Sequence, residues 1–314
     1  MKRYTRFFPY IFFLVFSSVI RSDEHTQDLP LPAKIDFFSS MKWDTKENRG
    51  PKKKYFLAKT KSARDKLDIY HTLKELYDTN YLPQKAAEGR NLIPKIVHQI
   101  WVGPHQPPAI FKESQKSIQK YLPDWEYKLW TDADIPTLDL YNKKFYDLST
   151  NYGEKADILR YELLYKYGGV YLDVDIILLK PLDSLLPYDL WTTIMPLDLH
   201  GHLGNCVIGS IAGHPLLEHC IYTIKDDWYR FDHMPVNMAV VRKAGPLHFQ
   251  KSFMQFVRTN PAHIVAFPSS YFCPSAFKTR RAALAYSSEN TTQQIQSSIS
   301  PETFAIHCWA GSWW

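Results

Sequence analysis

The stretch that decides the fold covers residues 156–179 and reads ADILRYELLYKYGGVYLDVDIILL. Ala156, Leu159, Leu163 and Tyr167 fall at i, i+3, i+7 and i+11, which is one face of a helix over residues 153–167. Gly168 and Gly169 stop that helix, and the apolar, β-branched run 170–179 then reads as a buried strand. Two carboxylates, Asp173 and Asp175, interrupt the run. In an extended chain side chains at i and i+2 point to the same side, so the pair projects together. Like charges this close stay ionised in apolar surroundings only beside a cation, and a hard oxygen-preferring ion, Mg²⁺ or Mn²⁺, suits them. The competing reading ends the strand at Asp173 and leaves both carboxylates solvated in a turn. The context favours the first reading, because α/β sheets bind ligands at the carboxyl ends of their strands. On the preceding helix Asp157 and Arg160 share a face at i and i+3, off the apolar stripe. Spacing alone makes them a surface ion pair; a functional reading sets the forked guanidinium against phosphate charge.

Working outward, residues 96–102 (IVHQIWV) read as a first core strand closed by Gly103 and Pro104. Residues 111–121 have helical character ending before Pro123, and residues 126–130 read as a second strand. Strand, helix and strand in that order predict an α/β domain with a parallel sheet. Ile69, Leu73, Leu76 and Tyr77 mark one amphipathic helix that begins near Ser62, ends before Pro83 and packs on the main domain. Residues 22–61 are polar and basic and read as a stem. Between residues 42 and 66, ten Lys and Arg face only Asp44, Glu47 and Asp65. The net charge of +6 is therefore local and the remainder is close to neutral, whereas a nucleic-acid reader would spread its basic residues over a folded face, so nucleic acid is not an expected partner. At 314 residues, 45% apolar and 22% charged, the chain is neither disordered nor fibrous, and its length suits one large domain with an extension.

Lys2, Arg3 and Arg6 precede the apolar run 7–20, which Arg21 closes. This reads as a signal peptide, with an uncleaved anchor as the alternative, and either exports the chain. Export permits disulfides among Cys206, Cys220, Cys273 and Cys308; three pairings exist, and free buried thiols are equally consistent. None of the four forms a Cys-x-x-Cys pair, which argues against a structural zinc or redox motif. Asn290 opens an N-glycosylation acceptor, Asn290-Thr291-Thr292.

Residues 93–103 (IPKIVHQIWVG), together with Asp157-x-x-Arg160 and Gly168-Gly169-x-Tyr171-Leu172-Asp173-x-Asp175, resemble the family 32 glycosyltransferases. These are DXD-containing sugar transferases related to yeast Golgi mannosyltransferases, to α1,4-galactosyltransferases and, more distantly, to glucosylating clostridial cytotoxins. The resemblance covers residues 93–314. It implies a GT-A, Rossmann-like nucleotide-sugar-binding domain with a mixed, mostly parallel sheet over residues 91–314, after a signal or anchor (1–22) and a stem with one helix (23–90). It further implies that Trp101 lies beside the nucleotide base, that Asp157 and Arg160 contact the donor sugar and its ribose or phosphate, and that Asp173 and Asp175 bind Mn²⁺ or Mg²⁺. The closing run His307-Cys-Trp309-Ala-Gly311-Ser312-Trp313-Trp314 is similar to the family's last motif, where the histidine completes the metal site and Ser and Trp contact the diphosphate. Residues 198–210, Asn205 above all, resemble the loop lining the donor sugar, and Asp198 is a candidate carboxylate on the reacting face. Ala244-Gly245-Pro246 matches a structural Gly-Pro at a helix start.

The implied activity is that of a metal-dependent, retaining hexosyltransferase acting on a nucleotide-diphosphate sugar, GDP-mannose or a UDP-hexose. The acceptor would be a glycan or glycolipid, and the place the Golgi lumen in a eukaryote, with membrane contact through the N-terminus. Catalysis would rest on Asp173, Asp175 and Arg160, with the metal at Asp173, Asp175 and His307. Two alternatives stand beside it: a secreted effector that glycosylates a host protein, and a non-catalytic glycan-binding relative.

Overall fold

Strand β1 (Ile96–Ile100) lies inside the sheet, and Val97, His98, Gln99 and Ile100 are all buried. The protein is described by a computed structural model covering residues 34–42, 61–81, 92–199, 202–275 and 297–311. Upstream of β1 lie helices α1 (Phe37–Ser40) and α2 (Lys61–Asn80); downstream follow α3 (Ile110–Tyr121), β2 (Glu126–Trp130), α4 (Lys143–Leu148), α5 (Tyr152–Tyr167) and β3 (Gly169–Leu172). The remaining elements are β4 (Ile176–Leu178), β5 (Leu190–Ile194), β6 (Leu203–Ser210), α6 (Pro215–Phe231), α7 (Val236–Lys243), α8 (Pro246–Val257), β7 (Ile264–Phe267) and β8 (Ala305–His307).

Among the described residues one sheet has the order β2-β1-β3-β6-β5-β7. The β1–β2, β1–β3 and β5–β7 pairs are parallel, and β6 runs antiparallel to both of its neighbours. This is the mixed, mostly parallel α/β sheet that the sequence predicts. Strands β3, β5, β6 and β7 are buried along their whole length, as strands covered on both faces must be.

Helix α5 starts where the Asn151 side chain accepts the Glu154 N–H at 3.0 Å and ends at Gly168, whose φ is +64°. Both glycines that follow the helix are required. A Cβ on Gly168 would lie 2.7 Å from the Ala212 nitrogen, and one on Gly169, with φ +96°, would lie 2.6 Å from the Ile96 oxygen. The tight turn lays β3 directly against β1.

Three expectations change. The run 170–179 is not one strand: β3 ends at Leu172, a turn follows in which Ile176 N–H donates to the Asp173 carbonyl, and β4 joins β8 in a separate two-stranded sheet. Residues 203–210 are not a loop but the buried strand β6, because their apolar residues fill the sheet between β3 and β5. Within the stretch read as a stem, Phe37 and Met41 are each 1% exposed and belong to the core. Helix α2 packs on the main domain as expected: the hydroxyls of Tyr77 and Tyr271 are 2.8 Å apart. Among the described residues no helix is long and apolar enough to cross a membrane. The apolar run 7–20, the Asn290 acceptor and Ser312, Trp313 and Trp314 lie outside the described residues.

Candidate active site

At the carboxyl ends of β1 and β3 the chain encloses a cavity of about 590 Å³. Trp101, Asp157, Arg160, Asp173, Asp175, Asn205 and His307 all line it. Asp198 does not; it is half-buried on a short 3₁₀ turn whose neighbours Leu199 and His202 reach the cavity instead.

The carboxylates meet through the turn rather than through strand alternation, and the turn is largely withdrawn from solvent. The side chain of Asp175 is 8% exposed and that of Asp173 24%. Cys206 fixes the start of the turn by accepting the Asp173 N–H at 2.8 Å. Pairing of β4 with β8 sets Ile176 opposite His307, and Cys308 N–H donates to the Asp175 carbonyl at 3.0 Å. This register delivers His307 to the site: its Nε2 lies 3.3 Å from Asp175 Oδ1. The Ala310 amide donates to Asp175 Oδ2 at 2.6 Å.

Arg160 is 4% exposed, so the surface-pair reading of Asp157 and Arg160 does not hold. Its Nη2 lies 2.9 Å from Asp157 Oδ1, its Nη1 lies 3.2 Å from Asp173 Oδ1, and Nη1 also donates to the Asn205 carbonyl. The guanidinium sits 4.3 Å from the Tyr171 ring centroid, and the Tyr171 hydroxyl donates to Asp173 Oδ1 at 2.7 Å. Most of the fork is therefore committed to the site's own carboxylates, and Arg160 holds Asp173 in place. Asn205 completes the network, its amide donating to Asp157 Oδ1 at 2.8 Å and to the Tyr161 hydroxyl at 3.1 Å. Gly245 is needed here, since a Cβ would stand 2.7 Å from Val241 Cα and 3.1 Å from Asp157 Oδ2. Trp101, at the end of β1, donates through its indole to the His105 carbonyl at 2.8 Å and stacks on Phe111.

Burial pushes the Asp173 carboxyl up, partly offset by Arg160 and reinforced by Asp175. Burial acts on Asp175 in the same direction, but the charge and hydrogen bond of His307 outweigh it and hold Asp175 below its ordinary range. His307 itself is disfavoured as a cation by burial, and the Asp175 carboxylate overrides that and raises its pKa. Two acids and a base thus stand in one buried cluster, where a divalent cation would offset the charge of the acids. The donor set fits such an ion, because ligand atoms of Asp173, Asp175 and His307 all lie within 4.8 Å of one another.

Residues 108–191 match the family described as the glycosyltransferase sugar-binding region containing the DXD motif. Over those residues the chain is similar to the DXD-type glycosyltransferases. Inositol phosphoceramide mannosyltransferase 3 of Schizosaccharomyces pombe is 35% identical over 53% of this chain and 45% of its own length. Mannosyl phosphorylinositol ceramide synthase SUR1 of Saccharomyces cerevisiae is 32% identical over 61% of this chain and 50% of its own. The chain thus spans about half the length of the curated relatives it matches. Among solved structures, the PaToxG glycosyltransferase is similar at 18% identity and a TM-score of 0.44, covering 61% of this chain and 81% of that one. The DXD region holds Asp157, Arg160, Asp173 and Asp175, whereas Trp101, Asn205 and His307 reach the same cavity from outside it.

Tyr171, Tyr161 and the Ala310 amide were not anticipated as site groups. Tyr171 was within reach of the pattern, because it stands two residues before Asp173, a spacing that sets side chains on one side of an extended chain. The Ala310 amide had no signal, since only the β4–β8 pairing brings it near.

Proposed function

We propose that this chain is a GT-A glycosyltransferase, metal-dependent and retaining, that moves a hexose from GDP-mannose or a UDP-hexose to a glycan or glycolipid. The observation that carries the reading is the convergence of Asp173, Asp175 and His307, beside the buried Arg160, in one cavity at the carboxyl ends of β1 and β3. The names of the relatives, mannosyl transfer onto phosphoinositol ceramides, favour a mannosyl donor and a phosphorylated lipid acceptor. Export to a lumen, through residues 1–22 as signal or anchor, is part of the same reading.

Asp173, Asp175 and His307 would hold Mn²⁺ or Mg²⁺, which supplies electrophilic stabilisation of the charge growing on the departing diphosphate. The remaining work falls to the chain. Tyr171 and Arg160 clamp Asp173, and the Ala310 amide and the His307 ring clamp Asp175, so both carboxylates are oriented before the donor arrives. Trp101 offers an aromatic face for the base. Asp157 and Asn205 line the wall where the donor's sugar and ribose would lie. Ser312, Trp313 and Trp314, which lie outside the described residues, are the proposed diphosphate contacts.

A thermal-shift panel of GDP-mannose, UDP-galactose, UDP-glucose and UDP-N-acetylglucosamine, each with and without Mn²⁺, tests this. A ligand that binds only the native state raises its melting temperature. Stabilisation that needs both Mn²⁺ and one nucleotide class is expected; no shift with any pair overturns the reading in favour of a non-catalytic relative.

A further inference from the structure

Beneath the DXD turn, a second cluster shares His307. Cys206 follows Asn205 on β6, and its carbonyl holds the Asp173 amide. Cys273 is brought in from the other side, because the His307 N–H donates to the carbonyl of the preceding residue, Phe272, at 3.2 Å. Both thiols are free and buried. The two sulfurs and a ring nitrogen of His307 all lie within 4.8 Å of one another. Met195 adds a thioether 3.9 Å from the Cys273 sulfur. His307 is 7% exposed, and besides Asp175 its ring has the Cys206 thiol as a hydrogen-bond partner. A buried imidazole set against two thiols is a donor set that suits a soft ion.

We propose that Cys206, Cys273 and His307 form a second cation site, selective for a thiophilic ion such as Zn²⁺, and that filling it withdraws His307 from the DXD site. Two thiolates and an imidazole are a soft set, opposite in preference to the oxygen-rich pair Asp173 and Asp175. A tetrahedral ion with Zn–S of about 2.3 Å and Zn–N of about 2.0 Å holds such atoms roughly 3.5–3.8 Å apart, so the cluster closes on it with shifts of about 1 Å. Binding releases the two thiol protons to solvent. The competition follows from the ring itself. A neutral imidazole has one lone pair: with Nδ1 on the soft ion the proton sits on Nε2, which then donates to Asp175 Oδ1, 3.3 Å away. The ring serves one ion at a time. The competition rests on the proposed reading of the DXD site, whereas the thiol site does not.

The experiment uses the full chain, reduced and stripped of metal, titrated with Cd²⁺ and followed by thiolate-to-metal charge-transfer absorbance. One ion per chain is expected in the wild type. Cys273→Ala should weaken binding at least about tenfold, with Cys273→Ser as the second variant if the first fails to fold, and Asp173→Asn should leave the absorbance in place. One equivalent of Zn²⁺ should lower Mn²⁺-supported turnover about tenfold in the wild type and leave Cys273→Ala unaffected. Equal Cd²⁺ absorbance with and without Cys273 overturns the site, as does a thiol count in denaturant, before reduction, that is short by two. Turnover equally sensitive to Zn²⁺ in both proteins overturns the competition. If turnover is absent altogether, the glycosyltransferase reading fails while the absorbance still decides the thiol site.

Discussion

Strand β8 touches two buried regions that are held together by opposite means. At its carboxyl end it supplies His307 to the cluster of Asp157, Arg160, Asp173 and Asp175, where nearly every polar atom has a named partner. Just before its amino end Phe304 joins a stack of rings: Trp191 on Phe272 with centroids 5.2 Å apart, and Phe272 on Phe304 at 5.8 Å. The stack depends on shape. Trp191 lies so flat on β6 that a Cβ on Gly209 would stand 2.2 Å from its indole. One region buries charge and is stable only while each partner is present. The other buries area, and its stability follows volume and fit. Substitutions should separate the two: changes in the first should cost activity beyond any loss of stability, and changes in the second should cost stability while the folded protein keeps its donor site.

The largest expected effect belongs to the charged region. Asp175→Asn keeps volume and the ability to accept from the Ala310 amide, but removes the carboxylate facing His307. Turnover should fall about 10³-fold or more, on the order of 4 kcal/mol of transition-state stabilisation, in a protein that still folds but melts at a lower temperature because His307 has lost its buried partner. Normal turnover in this variant would end the metal reading of the turn. Next comes Trp191→Ala, which empties the centre of the ring stack. Stability in denaturant should drop by about 3–5 kcal/mol, while the donor-induced thermal shift survives in the folded protein. A lost donor shift with unchanged stability would show that the two regions are not separable.

The two regions also differ in how far the sequence exposed them. The helix over residues 153–167, the Gly-Gly stop and strands 96–100 and 126–130 are local patterns, and they stand in the structure nearly as read. Asp157, Arg160, Asp173 and Asp175 were visible for the same reason: they lie within twenty residues of one another on elements whose periodicity is plain. What failed was geometry that local pattern cannot carry. A run of β-branched residues does not announce that β4 will leave the sheet and pair with a strand well over a hundred residues later. That pairing decides where His307 and the Ala310 amide lie. Burial misled in the other direction at Arg160, because spacing says nothing about what covers a helix face. The ring stack had no sequence signature beyond an aromatic content of 15%.

The smallest effect sharpens the contrast through two histidines. In the charged region Asp175 draws His307 towards its protonated form. His98 sits in the sheet with its ring stacked on Trp130 and Tyr167 and is driven the other way. The Trp130 indole donates to its Nδ1 at 3.1 Å, so the ring proton is on Nε2, which donates to the Gly168 carbonyl at 2.8 Å. A second proton would set an N–H against the indole N–H. Burial is the main cause, and the pKa of His98 falls from 6.5 to about 4. The unfolded chain therefore binds more protons between these two values, and stability rises with pH across that window. It is fully present above pH 6.5 and is lost as the pH falls towards 4, with His98 alone costing about 2 kcal/mol at pH 5. His98→Gln can still donate to Gly168 and accept from Trp130 but does not titrate, so it should be less stable at pH 7 and flatter between pH 7 and 5. Denaturant unfolding of both proteins at the two pH values reads the difference directly. Parallel losses in wild type and variant would mean that acid acts elsewhere, and that the ring under the Gly-Gly turn is not the neutral strut this hydrogen-bond pattern requires.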